Sequence, residues 1–119
     1  MTAIATASYA AYRPDMGVAI KTSRGTPKFG DWPDLPTIWM LAPASSYFDA
    51  PPDVFDELYV AQLDRYGVDR ILRALHAHAR HSDDRLVALC FERRREQCHR
   101  GLLARWLTEQ TGEIVEELW

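Results

Sequence analysis

Leu86-Val87-Ala88-Leu89-Cys90-Phe91-Glu92 and, after a basic loop, Cys98-His99-Arg100-Gly101-Leu102-Leu103-Ala104-Arg105-Trp106-Leu107 are the stretches whose reading decides the fold. An unbroken apolar run as short as Leu86 to Phe91, bounded by polar residues, reads as a strand buried on both faces. Leu102, Leu103, Trp106 and Leu107 fall on one face of a helix that begins near Cys98. One strand thus delivers Cys90 and Glu92 to a loop containing Arg93, Arg94 and Arg95, and one helix opens with Cys98, His99 and Arg100. In open α/β sheets ligands bind beyond the carboxyl ends of the strands. The reactive side chains of this chain concentrate at that kind of place.

Working outward, Ile4 to Ala7 reads as a first strand and Val18 to Thr22 as a second. Thr37 to Leu41, compact and apolar, predicts a third strand between proline-rich loops. Asp53 stands where a helix N-cap belongs. Phe55, Leu58, Tyr59, Gln62, Leu63 and Tyr66 then share a face, and Gly67 is a stop. A second helix follows, with Val68, Ile71, Leu72, Leu75 and Ala79 on one side and His76, His78 and His81 near its end. Gly112 ends the helix that starts near Cys98. Glu113 to Trp119 carries charges on both faces and reads as a final edge strand. This order predicts a single compact α/β domain over residues 1–119, with a small, mostly parallel sheet and flanking helices, Rossmann-like and three-layered.

Composition narrows the function classes. The chain has 119 residues, 47% of them hydrophobic and 26% charged, which suits one globular domain. A net charge of −3 supplies no global attraction to nucleic acid. The charge is uneven, with Arg85, Arg93, Arg94, Arg95, Arg100 and Arg105 crowding the centre and Glu109, Glu113, Glu116 and Glu117 the tail. No apolar run reaches the roughly 20 residues of a membrane helix, and no signal peptide is evident. Two cysteines do not make a disulfide framework, so a reducing cytoplasm is the expected location.

Thr6-Ala7-Ser8-Tyr9, Ser23-Arg24-Gly25-Thr26-Pro27-Lys28, Leu41-Ala42-Pro43 and above all Leu89-Cys90-Phe91-Glu92 followed by Cys98-His99-Arg100 resemble the domain of unknown function 488 family, over nearly the whole chain and in the right order. The resemblance implies a compact α/β domain of bacterial, archaeal or phage origin. It implies no activity.

The residues carry their own chemical reading. Cys98, near a helix N-terminus beside His99 and Arg100, is placed for a stabilised thiolate, hence a nucleophile or redox-sensitive thiol. The alternative is a small buried apolar residue. Cys90 reads as buried structure, and Glu92 as either a general base or an ion-pair partner of Arg24 or Arg100. Cys-x7-Cys-His matches no structural zinc pattern, so no metal and no cofactor are expected. Ser23, Arg24 and Lys28 offer hydroxyl, guanidinium and ammonium groups in one turn, and Arg24 suits a bidentate phosphate clamp. Tyr9, after the first strand, should reach the same edge. Phosphate-loop, dinucleotide and thiol-phosphatase motifs are absent.

Binding of a small anionic, phosphate-bearing, nucleotide-like ligand is therefore the leading expectation. Tyr9, Ser23, Arg24, Lys28, Cys90 and Arg100 would hold it, and a nucleotide or nucleic-acid end is compatible. A thiol-dependent hydrolase or transferase using Cys98, with His99 and Glu92 assisting, is one alternative. A non-catalytic partner-binding accessory protein is the other.

Overall fold

The computed structural model describes residues 3–23, 25, 32, 35, 37–81, 84–91 and 99–118. Its sheet has four strands: β1 (Ile4–Ser8), β2 (Val18–Lys21), β3 (Leu86–Cys90) and β4 (Glu116–Glu117). Their order is β2-β3-β1-β4 and every pairing is parallel. β3 sits inside, registered Leu86 to Ile4 and Cys90 to Ser8 on one side, and Leu86 to Val18 on the other. All five of its residues are buried, as a contiguous apolar run requires when both faces are covered.

Alternation along β3 divides the core. Leu86 and Ala88 join Ile20 in a cluster with Tyr59, Leu63, Ile71, Leu75, Leu103 and Leu107 from the helices. Val87 and Leu89 point to the opposite face, where Ala7, Tyr9 and Met16 pack with Tyr12, Trp32, Leu35 and Leu118. The described helices thus cover one face. The layer over the other face is built from a 3-10 turn at Pro14–Met16 and aromatic and aliphatic side chains of connecting segments.

Helix α1 (Pro52–Tyr66) starts two residues earlier than an Asp53 cap requires. Pro51 occupies the cap position and Pro52 the first turn, where the fixed φ of proline is already helical and its missing N–H is no loss. Asp53 sits in that first turn, favourably placed against the dipole. Gly67, at φ +86°, ends α1 and admits the turn into α2 (Val68–His76). Leu58 and Tyr66, expected on the buried face, are 40% and 37% exposed. α3 (His99–Thr111) buries Leu102, Leu103, Ala104, Trp106 and Leu107. Trp106 Nε1 donates to Asp64 at 2.8 Å, tying α3 to α1.

The expected third strand is a correction. Thr37 makes an isolated bridge to Lys21, and Trp39–Leu41 is a 3-10 turn. Its carbonyl groups are taken by side chains of α1: Gln62 Nε2 donates to Met40 O and Ala42 O, both at 2.9 Å, and the Tyr59 hydroxyl donates to Leu41 O at 2.6 Å. Gln62 Oε1 accepts from Ala44 N and from the Tyr47 hydroxyl. A segment whose acceptors are satisfied this way needs no strand ladder. The final strand is an edge strand as expected, but only two residues long. No described helix is long and apolar enough to cross a membrane.

Candidate functional site

Parallel strands put all their carboxyl ends at one edge. β1 leads there into Tyr9, β2 into Thr22 and Ser23, and β3 into Phe91, while α3 starts at the same place with His99 and Arg100. Backbone bonds knit the edge: Tyr9 N donates to Cys90 O at 3.0 Å and Thr22 N to Leu89 O at 3.2 Å.

Tyr9 is buried, and burial raises its phenol pKa. Ser23 Oγ donates to Gly25 O at 2.8 Å, so the 2.6 Å bond between the Tyr9 hydroxyl and Ser23 Oγ has Tyr9 as donor. The ring meets Trp32 edge-on at 5.2 Å and Phe91 at 4.9 Å. Tyr9 and Ser23, separated by the whole of β2, thus meet as the sequence reading expects of two strand ends.

His99 faces β2. Its Nε2 lies 2.7 Å from Thr22 O and 3.3 Å from Thr22 Oγ1. A carbonyl only accepts, so Nε2 carries the proton. Thr22 Oγ1 meanwhile donates to Leu89 O at 2.9 Å. The Tyr59 ring stands edge-on to the imidazole at 5.4 Å. Burial drives the His99 pKa down to about 4 and the Arg100 charge adds to this, against the opposing hydrogen bond to Thr22. His99 is therefore neutral at physiological pH.

Arg100, next in sequence, is fully buried. Its Nε donates to both Glu117 oxygens at 3.1 Å, and its Nη2 to Oε2 at 2.8 Å. Thr6 Oγ1 donates to the same carboxylate at 2.7 Å. Nη1 approaches Cys90 Sγ at 3.3 Å. The guanidinium is thus committed to the join between α3, β3 and β4. Sequence reasoning missed both Glu117 and Thr22. Glu117 was legible only as an edge-strand charge, and Thr22 only as the end of a strand.

Cys90 is buried and disulfide-bonded. Arg24, Lys28, Glu92 and Cys98 lie outside the described residues. Beside the strand ends, between the start of α1 and the outer side of α3, runs a groove of about 1320 Å³. Phe48, Phe55, Asp56, Phe91, His99 and Arg105 are among its walls. His76 and His81 are exposed and His78 is half-buried. Among the described residues, no group of three or more His, Cys, Asp or Glu side chains is placed to hold a metal.

Neither curated proteins nor solved structures gave a match to this chain. One family model does match, DUF488-N3a, described as the active DUF488-N3 subclade, over residues 4–111. That span runs from the first residue of β1 through the last of α3, and so takes in every element that builds the site except β4. The chain belongs to the DUF488 family.

Proposed function

We propose that the chain binds an anionic, phosphate-bearing ligand of nucleotide type at the strand-end edge beside the start of α3. The observation that carries the reading is the meeting of Tyr9, Thr22, Ser23, Cys90 and His99 at the carboxyl edge of an all-parallel sheet, next to a groove of about 1320 Å³. Backbone N–H groups in the first turn of a helix lack intrahelical partners, and the dipole adds roughly half a positive charge there. Arg105 on the groove wall brings an exposed cation, and Phe48, Phe55 and Phe91 bring aromatic surface against which a planar base can stack. Arg24 and Lys28, which follow β2 in the sequence, belong to this proposal as the cations that would hold the phosphate. Arg100 takes part by holding the helix start, since its guanidinium is engaged by Glu117.

The test is a thermal-shift series followed by calorimetry. Nucleoside monophosphates and diphosphates should raise the melting temperature while the parent nucleosides do not, and affinity should fall as salt rises. Equal shifts from nucleoside and nucleotide, or none from either, would sink the reading.

The description of the matched family as an active subclade favours a second reading, a thiol-dependent hydrolase or transferase using Cys98 with His99 and Glu92 assisting. In that reading a neutral His99 orients Thr22 rather than shuttling protons near pH 7. Alkylation of Cys98 in the reduced chain with the pH profile of an ordinary thiol, pKa ~8.5, would remove it.

A further inference from the structure

Cys90 closes the central strand with only 1% of its surface exposed, and its sulfur is disulfide-bonded. The guanidinium of Arg100 stands over it, with Nη1 3.3 Å from Sγ. The remaining edge of that guanidinium is gripped by Glu117 through Nε and Nη2, and Glu117 is itself held by the Thr6 hydroxyl at 2.7 Å. A planar fork fastened on one edge cannot turn, so Nη1–H stays aimed at the sulfur. A disulfide sulfur is a weak acceptor, whereas a thiolate in the same place accepts a charge-assisted bond. The donor therefore favours the reduced state over the oxidised one, and stabilising the reduced form is what makes a disulfide readily reducible.

We propose that Cys90 is the leaving sulfur of a redox-active disulfide whose reaction partner is a dithiol. One thiolate of the dithiol attacks the sulfur to which Cys90 is bonded. The S–S bond breaks, and its electron pair departs on Cys90 Sγ as a thiolate hydrogen-bonded to Arg100 Nη1. The second thiol of the dithiol, losing its proton, attacks its own sulfur in the mixed disulfide and expels the protein's second sulfur, which takes up a proton. In sum the protein disulfide gains two electrons and the dithiol becomes a disulfide. Burial assigns the roles: a sulfur 1% exposed cannot be reached by an attacking thiolate but can leave, and a stabilised leaving thiolate departs faster. Cys90 also borders the groove beside His99, so the reaction changes the charge of that wall.

The proposal is independent of any ligand at the strand ends. Its test equilibrates the full chain in buffers of reduced and oxidised dithiothreitol, followed by acid quench, alkylation and mass measurement. Arg100→Lys removes the fork and should need about a tenfold higher ratio of reduced to oxidised reagent for half-reduction, a shift of about 30 mV. Glu117→Gln keeps an acceptor for Arg100 but removes a negative charge that opposes the thiolate, so it should be half-reduced at a lower ratio than wild type. A pair that serves only the fold would move both variants alike. Identical midpoints, or shifts in the same direction, overturn the proposal, as does a wild-type chain that carries no disulfide when isolated in air. Should Arg100→Lys fail to fold, a reduced Cys98→Ser chain isolates the Cys90 thiol. Its ultraviolet thiolate absorbance should titrate below the ordinary ~8.5, and titration at or above that value overturns the proposal.

Discussion

Removing the Glu117 carboxylate should unfold much of this protein's margin of stability. Glu117→Ala leaves the Arg100 guanidinium, 0% exposed at its side chain, without the group that accepts three of its hydrogen bonds. It also takes away the 2.7 Å partner of Thr6 Oγ1, which keeps only a long bond of 3.3 Å to Glu116 O. Truncating one partner of a buried ion pair strands a charge in low dielectric and costs about 3–5 kcal/mol. Against a typical stability of about 5–15 kcal/mol, that is a large fraction. At roughly 4 °C per kcal/mol for a domain of this size, the melting temperature should fall by about 12–20 °C. Urea melts of wild type and variant, compared at fixed m-value, are the assay. The companion is the double variant Arg100→Met with Glu117→Met. It removes both charges while keeping volume, and should recover most of the loss, because replacing a whole buried pair by apolar groups is often near neutral. A single variant within about 1 kcal/mol of wild type would show that water reaches Arg100 and that the pair is not buried as the structure has it.

Leu89→Ala, in the fully buried centre of β3, should cost about 2–5 kcal/mol in the same melts, and a loss under about 1 kcal/mol would take it out of the core. Gly17→Ala should cost more than an ordinary surface change: Gly17 has φ +142°, and a Cβ there would overlap the Arg85 carbonyl oxygen, whose position is fixed by its bond from Val18 N at 2.8 Å. Its cost, the shift in urea midpoint multiplied by the m-value, should be at least about 1 kcal/mol. His99 predicts a pH dependence. Its folded pKa, about 4, lies below the ordinary 6.5, so between those values the unfolded chain binds a proton that the folded chain does not. Stability from this group is complete above pH ~6.5, declines as pH falls and levels off below pH ~4, with a total on the order of 3 kcal/mol. The stability gap between wild type and His99→Gln should therefore narrow from pH 7.5 to pH 4.5, and a gap that stays constant would contradict the burial of a neutral imidazole.

The central strand was legible because contiguous apolar residues admit one arrangement, burial on both faces, and Leu86 to Cys90 has it between two parallel neighbours. The glycine stops were legible for an equally local reason, since Gly67 and Gly112 sit at positive φ just beyond helices. Thr37 to Leu41 misled because an apolar pentapeptide looks the same as a strand or as a buried 3-10 turn. What decided between them was where its carbonyls find donors, and the donors are Tyr59 and Gln62, 18 to 22 residues away on α1. At the start of α1, the Pro51-Pro52 pair outweighed the aspartate that follows. That signal was present in the sequence but sets the cap at Pro51, two residues ahead of the position a capping reading prefers.

The site divides along the same line. Its location was legible from strand ends and a helix start, which are local features. The roles of adjacent residues were not, because they depend on what the fold brings opposite. His99 and Arg100 read alike in sequence as two cation-capable groups beside a helix N-terminus. One residue of helix turns a side chain by about 100°, which is enough to aim His99 at the end of β2 and Arg100 at Glu117 on the far side of the sheet. The first loses its charge to burial beside a carbonyl acceptor. The second is met by a carboxylate from β4, which balances the guanidinium charge. His99 and Arg100 together therefore contribute little net positive charge to the site. Among the described residues, what remains to attract an anion is the helix terminus and the exposed arginine of the groove wall, so substitution at Arg105 should alter ligand affinity and its salt dependence while leaving stability near wild type, and substitution at Arg100 should do the reverse.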